Sequence, residues 1–289
     1  MNKHILLKKI ILKVLIMMAA LIVILPLCVL LSTALKSDRE IASGFVSLMP
    51  EKLLWGNIPK AMGMGDWPRY FFNSTLITVI TVACSLLINS SAGFAFARLP
   101  FKGKNVLFYC AMTGMMLPMQ IIMLPVFLQI KEFPLLGGNN LFGQGGIGLI
   151  NNYWGIILPL IAHPFGVFMS RQYYINFPKE LDEAAKLDGC SMLSMYVRVY
   201  LPLSKSLFAT LGLLKTVDTW NQYTWPLLVT NTKEMQTLQL ALNAFKGENA
   251  IQWNYLMAAT IVIILPVLVL FIFLQKYFVQ GIVSTGMKD

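Results

Sequence analysis

Six stretches of the chain are apolar over enough residues to cross a membrane, and polar segments separate them. A spanning helix needs about 20 mostly apolar residues, because about 30 Å of hydrocarbon offers its backbone no water to bond. The first stretch covers about 12–33: residues 14–31 carry no charge, and Lys3, Lys8, Lys9 and Lys13 precede them. That run is long for a signal peptide and "LLSTAL" is a weak cleavage site, so a retained anchor is expected. The second, about 72–98, covers nearly all of the uncharged run 71–97, and the third, about 105–130, contains the uncharged run 106–130. The fourth, about 151–171, follows "LLGGNNLFGQGGIGL", which is too flexible to continue a helix and reads as an outside loop. The fifth runs over about 207–229 and the sixth over about 254–277. The expected fold is an all-α membrane protein whose residues 1–289 form one transmembrane domain, with a polar loop at 172–206.

Composition agrees with that pattern. The chain is 57% hydrophobic and 12% charged, about half the roughly 25% charge of a soluble domain, and its mean hydropathy is +0.67. A net charge of +10 would suit nucleic acid, but the basic residues lie between apolar runs rather than in one patch. They serve better as orientation signals. With the N-terminus inside, cytoplasmic segments hold 14 Lys and Arg and outside segments 8, so both termini are expected in the cytoplasm. Cys28, Cys84, Cys110 and Cys190 are scattered singly, which indicates neither a disulfide framework nor a metal site. Prolines 26, 118, 125, 159, 164, 226 and 266 fall in the apolar stretches, where each tends to kink its helix. Small residues Ser90, Ser91, Gly93, Ala95 and Ala97 would allow a neighbouring helix close to the second span.

One passage breaks the apolar rule. "FPKELDEAAKLDGC", residues 177–190, carries Lys179, Glu180, Asp182, Glu183, Lys186 and Asp188. Pro178 suits a first helical turn and Gly189 the left-handed residue past a helix end, predicting a helix of about eleven residues. Leu181, Ala184, Ala185 and Asp188 share one small-surfaced side of it. Ser191 can cap a second short helix and Pro202 marks the approach to the fifth span, giving a helix-turn-helix on the cytoplasmic face.

Glu183-Ala184-Ala185, then Gly189 after three positions, then Val199-Tyr200-Leu201-Pro202 after nine more, resemble the E-A-A-x3-G-x9-I-x-L-P loop of binding-protein-dependent ABC import permeases. Val199 for isoleucine is the one departure. "FFNSTLITV", "AGFAFARLPFKGK", "FGVFMSRQYYINFPKELDEAAKLDG", "WNQYTWPLL" and "QKYFVQGIVSTGMKD" extend the likeness toward the shorter, six-span subunit of the carbohydrate-uptake branch, although "STGMKD" departs from its commoner ending. The resemblance implies a type I importer permease with a cytoplasmic coupling helix in a bacterial cell membrane. It implies as partners a second homologous permease subunit, two ATPase subunits that hold ATP and magnesium, and an extracellular or periplasmic sugar-binding protein. In it the loop docks into the ATPase: Ala184 and Ala185 permit close approach, Gly189 makes the turn, and Leu201 and Pro202 complete the motif. Glu183 either meets a group on the ATPase or pairs locally with Lys179 or Lys186.

Other candidates are weaker. Lys215 and Asp218 lie three apart in the fifth span and are expected to form an intramembrane ion pair. Trp220, Asn221, Gln222 and Tyr223 follow, and either contact a sugar in the pathway or belong to an interfacial belt. His163 fills a helix interface or relays protons. No stretch has the G-K-[S/T] ending of a phosphate loop, and no triad or metal constellation is present, so the chain is expected to be neither the ATPase nor an enzyme and to carry no cofactor of its own. A stand-alone secondary transporter would need coupling-ion residues beyond Lys215 and Asp218. An ABC permease for a solute other than sugar shares the same loop and stays open.

Overall fold

The computed structural model describes residues 3–43, 48–247 and 250–286, with side chains described over 7–276 within those ranges. The closing "MKD" therefore lies outside the described residues. The α-helices are α1 (Lys3–Ala34), α2 (Asp38–Ala42), α3 (Asn57–Gly63), α4 (Trp67–Arg98), α5 (Lys104–Thr113), α6 (Met119–Lys131), α7 (Tyr153–Ile161), α8 (Pro164–Ile175), α9 (Glu180–Leu187), α10 (Met192–Met195), α11 (Leu201–Leu203), α12 (Lys205–Trp220), α13 (Thr224–Val229), α14 (Leu238–Ala241) and α15 (Trp253–Gly286). A five-residue π turn, Tyr196–Tyr200, joins α10 to α11. Among the described residues the one β pairing is a single antiparallel bridge between Lys246 and Ile251.

Three helices are long and apolar enough to cross a membrane alone: α1 over Leu7–Ala34, α4, and α15 over Trp253–Lys276. Two bent pairs pass the same test, α7 with α8 at 42° and Met192–Leu203 with α12 at 79°. Six crossings were expected, and the described helices supply three to five. The expected third span is interrupted because α5 ends at Thr113 and Pro118 enters α6 in an extended conformation with no N–H to continue a helix. The expected fifth span likewise breaks after Trp220, where residues 221–223 separate α12 from α13.

Packing divides the chain into two compact units, Met1–Trp67 with Ala241–Leu265, and Pro68–Leu240 with Pro266–Asp289. In the first unit the Asn57 amide ties the end of α1, donating to the carbonyls of Ala34 (2.9 Å) and Lys36 (3.0 Å). Trp67 donates its indole N–H to Ala61 and stacks on Phe245, ring centres 6.2 Å apart. Residues 7–29 of α1 are exposed on every side, an apolar surface suited to lipid or a partner helix.

In the second unit α4 is the spine. Near its N-terminal end the fully buried Asn73 donates to the carbonyls of Glu234 and Gln236, both at 2.8 Å, and accepts from the Tyr153 hydroxyl at 2.7 Å. A core of Ile77, Ile130, Ile156, Ile157 and Trp225 lies in that region, and the Trp225 indole reaches the carbonyl of Gly155 at 3.1 Å. The glycine-rich loop beside it does not continue a helix, as expected, and its backbone is cross-linked by hydrogen bonds. Buried Asn139 spans it, donating to Lys131 and Phe133 and accepting from the Gly146 N–H. A Cβ on Gly146 would lie 2.2 Å from the Gly137 carbonyl oxygen, so the glycines permit close backbone approach. Toward the other end of α4, a Cβ on Gly93 would lie 2.3 Å from Ser170 Cβ, so the small-residue stripe does bring α8 close.

Candidate functional site

The polar insert folds as α9, α10 and the π turn. The first helix has eight residues instead of the expected eleven. Arg98 holds the carbonyls of Tyr174 and Phe177, and Pro178 has no N–H to donate, so the chain turns through 176–179 before α9 begins. Its end follows the expectation: Gly189 is left-handed at φ +74°, the Gly189 N–H bonds Lys186 (3.0 Å) and the Cys190 N–H bonds Ala185 (2.9 Å). Those two bonds make a Schellman motif, and glycine takes its left-handed position without the Cβ penalty. Ser191 then caps α10 by accepting from the Ser194 N–H at 3.2 Å.

The adjacent alanines of α9 differ in burial. Ala185, expected on a docking face, is 5% exposed and packs with Phe94, Tyr174, Met195, Tyr196 and Tyr200 of the same chain. Ala184 and Glu183 are exposed, and Leu187 is 89% exposed at the tip, with Leu193 at 72% on α10. The outward surface therefore includes Glu183, Ala184 and Leu187, with Glu180, Lys186 and Asp188 also exposed. Among the described residues Glu183 makes no ion pair with Lys179 or Lys186. Leu201 is half-buried and Pro202 exposed in α11, just before the 79° bend into α12.

A clasp that the sequence reading missed fixes this insert to α4. Arg98 Nη1 donates to Asp182 Oδ2 at 3.2 Å, Nη2 donates to the carbonyls of Tyr174 (2.8 Å) and Phe177, and the guanidinium lies 5.6 Å from the Tyr200 ring centre. The Tyr200 hydroxyl donates to the other carboxylate oxygen of Asp182. Burial first, and then that carboxylate, hold the Tyr200 phenol well above its ordinary pKa, so it remains a donor. Tyr200 is fully buried and packs edge-on to Phe94 at 4.8 Å and against Phe177 at 5.2 Å. Further cations finish the C-terminal end of α4: Arg171 reaches Phe96 O, and Lys104 reaches Ala97 O and Leu99 O, where the helix dipole favours positive charge. The sequence signal was Arg98 itself, the charge that ends the long uncharged run.

The remaining candidates gather on and after α12. Lys215 Nζ lies 2.8 Å from Asp218 Oδ2, and Gln222 donates to Asp218 Oδ1 at 3.3 Å. Trp220 is buried beside Phe71, Asn221 accepts from Gln239 at 3.1 Å, and Tyr223 is half-buried at the helix break. His163 caps α8, its Nδ1 accepting from the Phe165 N–H at 3.3 Å. Trp220 is thus apart from the cavity that Lys215, Asp218 and His163 line. Among the described residues no group of His, Cys, Asp or Glu is arranged to hold a metal.

Several long apolar helices joined to a polar helix-turn-helix define a multi-pass membrane protein. Residues 89–284 match the family model described as "Binding-protein-dependent transport system inner membrane component". The chain belongs to that family, a family of transport permeases rather than enzymes, as the loop motif led one to expect. It is 32% identical to the arabinooligosaccharides transport system permease protein AraQ of Bacillus subtilis, over 94% of this chain and 93% of the relative. It is 28% identical to the sn-glycerol-3-phosphate transport system permease protein UgpE of Pectobacterium atrosepticum, over 94% and 95%. Its fold is also that of a chain in the crystal structure of a bacterial ABC transporter involved in the import of the acidic polysaccharide alginate, with a TM-score of 0.79, 22% identity, and coverage of 96% of this chain and 99% of that one.

Proposed function

We propose that this chain is the membrane-spanning subunit of an ATP-driven importer that moves a sugar, in oligosaccharide form, into the cytoplasm by alternating access. The observation that carries this reading is the coupling loop: E-A-A falls on α9, Gly189 makes the left-handed turn that ends it, Leu201 and Pro202 lie on α11 before the bend into α12, and Arg98 clasps α9 to a long helix while Glu183, Ala184 and Leu187 stay exposed. In the working complex a second homologous permease completes the pathway, two ATPase subunits engage α9 from the cytoplasm, and a sugar-binding protein delivers solute from outside. The six crossings are then α1, α4, α5 with α6, α7 with α8, α12 with α13, and α15, in one membrane domain of a bacterial cell membrane with both termini cytoplasmic. Leu201 and Pro202, at the bend into α12, carry the motion of the loop into the bundle. The sugar assignment draws on the arabinooligosaccharide relative; the glycerol-phosphate relative supports a non-sugar solute as the second reading.

The test is Gly189→Val in the reconstituted complex. No atom would clash with a new Cβ at Gly189, so the change acts through the left-handed backbone, at a cost of about 1–2 kcal/mol. Expected is an assembled complex that hydrolyses ATP with little sugar uptake. Unchanged uptake per ATP in the intact complex would remove the lever from the mechanism. Uptake by the chain without ATPase subunits would favour a secondary transporter instead.

A further inference from the structure

Where α7 bends into α8, three helices leave a cavity of about 270 Å³ lined by Ser85, Asn89, His163, Leu214, Lys215 and Asp218, with Leu86, Phe165 and Leu211 completing its walls. We propose that this cavity is a station for a neutral, hydroxyl-bearing ring on the solute pathway, and that it disfavours anions; the inference rests on the importer reading above.

Irregular backbone within a membrane is tolerated where protein or a cavity satisfies it. Here Asn89 Oδ1 accepts from the His163 N–H at 3.2 Å, and the Asn89 amide donates to Ser85 Oγ at 2.7 Å. Gly166 leaves room for that amide, since a Cβ there would lie 2.7 Å from Asn89 Nδ2. The groups keep capacity to spare. Lys215 uses one of its three ammonium donors on Asp218, and His163, accepting at Nδ1, carries its proton on Nε2. Asn89 retains a second amide N–H, and the Asp218 carboxylate can accept further bonds.

Donors and acceptors side by side match hydroxyls, which are both. The leucines and Phe165 offer a surface for the C–H face of a saccharide ring. The volume sits just below the roughly 300–1,000 Å³ of small-molecule clefts, which suits a single ring of a longer solute. Charge decides the class. Asp218 cancels Lys215 at 2.8 Å, so an arriving carboxylate or phosphate gains no free cation and must lie beside an existing carboxylate.

The test uses the reconstituted complex, with native cysteines replaced by serine and Leu214→Cys as the reporter. Leu214 is 41% exposed on the cavity wall. During ATP turnover, arabinotriose supplied with the binding protein should slow modification by a neutral methanethiosulfonate about fivefold or more. Adding Asp218→Asn should raise the rate with a sulfonate-bearing reagent, relative to the neutral one, about tenfold, because Lys215 loses its counter-charge. Leu214→Trp, which fills the cavity, should abolish uptake in an assembled complex. The inference is overturned if a complex importing arabinotriose normally shows no protection, if Asp218→Asn leaves the reagent ratio unchanged, or if Leu214→Trp imports at the normal rate. A parent complex that imports no saccharide at all fails differently, because it sinks the importer reading and this inference with it.

Discussion

Replacing Arg98 with methionine keeps an apolar stem of similar width and removes every bond that the guanidinium makes. The ion pair to Asp182 is lost together with the donors to Tyr174 and Phe177, while the Asp182 carboxylate stays 18% exposed with the Tyr200 hydroxyl as its remaining partner. Hydrogen bonds to charged groups contribute about 1.5–3 kcal/mol each, but these share one guanidinium and do not add. Breaking a buried pair from one side costs about 3–5 kcal/mol. Residual exposure and the Tyr200 bond place this case near 3 kcal/mol, at the low end of that range. Asp182→Asn keeps an acceptor for Tyr200 and should cost about 1–2 kcal/mol, so the double variant should lose less than the two single losses added together. The assay is melting of the purified complex in lipid nanodiscs, followed by ATP hydrolysed per solute imported. Arg98→Met should lower the melting temperature by about 5–10 °C on single-domain scaling and raise ATP use per solute, because α9 is no longer fixed to α4. A variant that melts within about 1 °C of the parent with unchanged stoichiometry would refute the clasp as a stabilising and coupling element.

Gly93→Ala should lower stability by about 1–3 kcal/mol by forcing a methyl into Ser170; thermal melting checks this, and adding Ser170→Gly should recover part of the loss. Asn139→Ala removes three hydrogen bonds within the glycine-rich loop and should speed amide exchange and proteolysis across 132–149 while leaving 70–98 protected. Tyr200→Phe leaves one oxygen of Asp182 without its donor and should weaken coupling in the direction of Arg98→Met but by about 1–2 kcal/mol, read by the same nanodisc assay.

Local signals in the sequence located much of the coupling loop. Gly189 and Ser191 announced the end of one helix and the start of the next because capping chemistry acts within a few residues. The long apolar runs of α1, α4 and α15 were legible for the same reason, since length and hydropathy are summed locally. What escaped depends on distant partners. Arg98 meets Asp182 across 84 positions, and no local pattern distinguishes that pairing from a solvated charge at a membrane boundary. Ala184 and Ala185 read as one small face, yet a turn of 100° per residue and the Tyr174–Tyr200 aromatic cluster send Ala185 inward and leave Ala184 outside. The breaks at 114–118 and 221–223 had partial warning in Pro118 and Pro226. Proline marks a possible interruption without saying whether a helix bends or stops. Glycine content at 132–149 marked the break in the helix, but nothing local announced that Asn139 would bond backbone from several turns at once.

The most direct measurement places a photoreactive benzoylphenylalanine at Leu187 in the purified, transport-competent complex and identifies what it labels by mass spectrometry. The outward tip of α9 should capture a polypeptide carrying a nucleotide-binding phosphate loop, with a yield that changes between ATP-bound and nucleotide-free states, while the same probe at Leu141 in the glycine-rich loop should not. If Leu187 labels nothing, or labels this chain itself, in a complex that still imports solute, α9 is not the contact through which ATP drives the bundle.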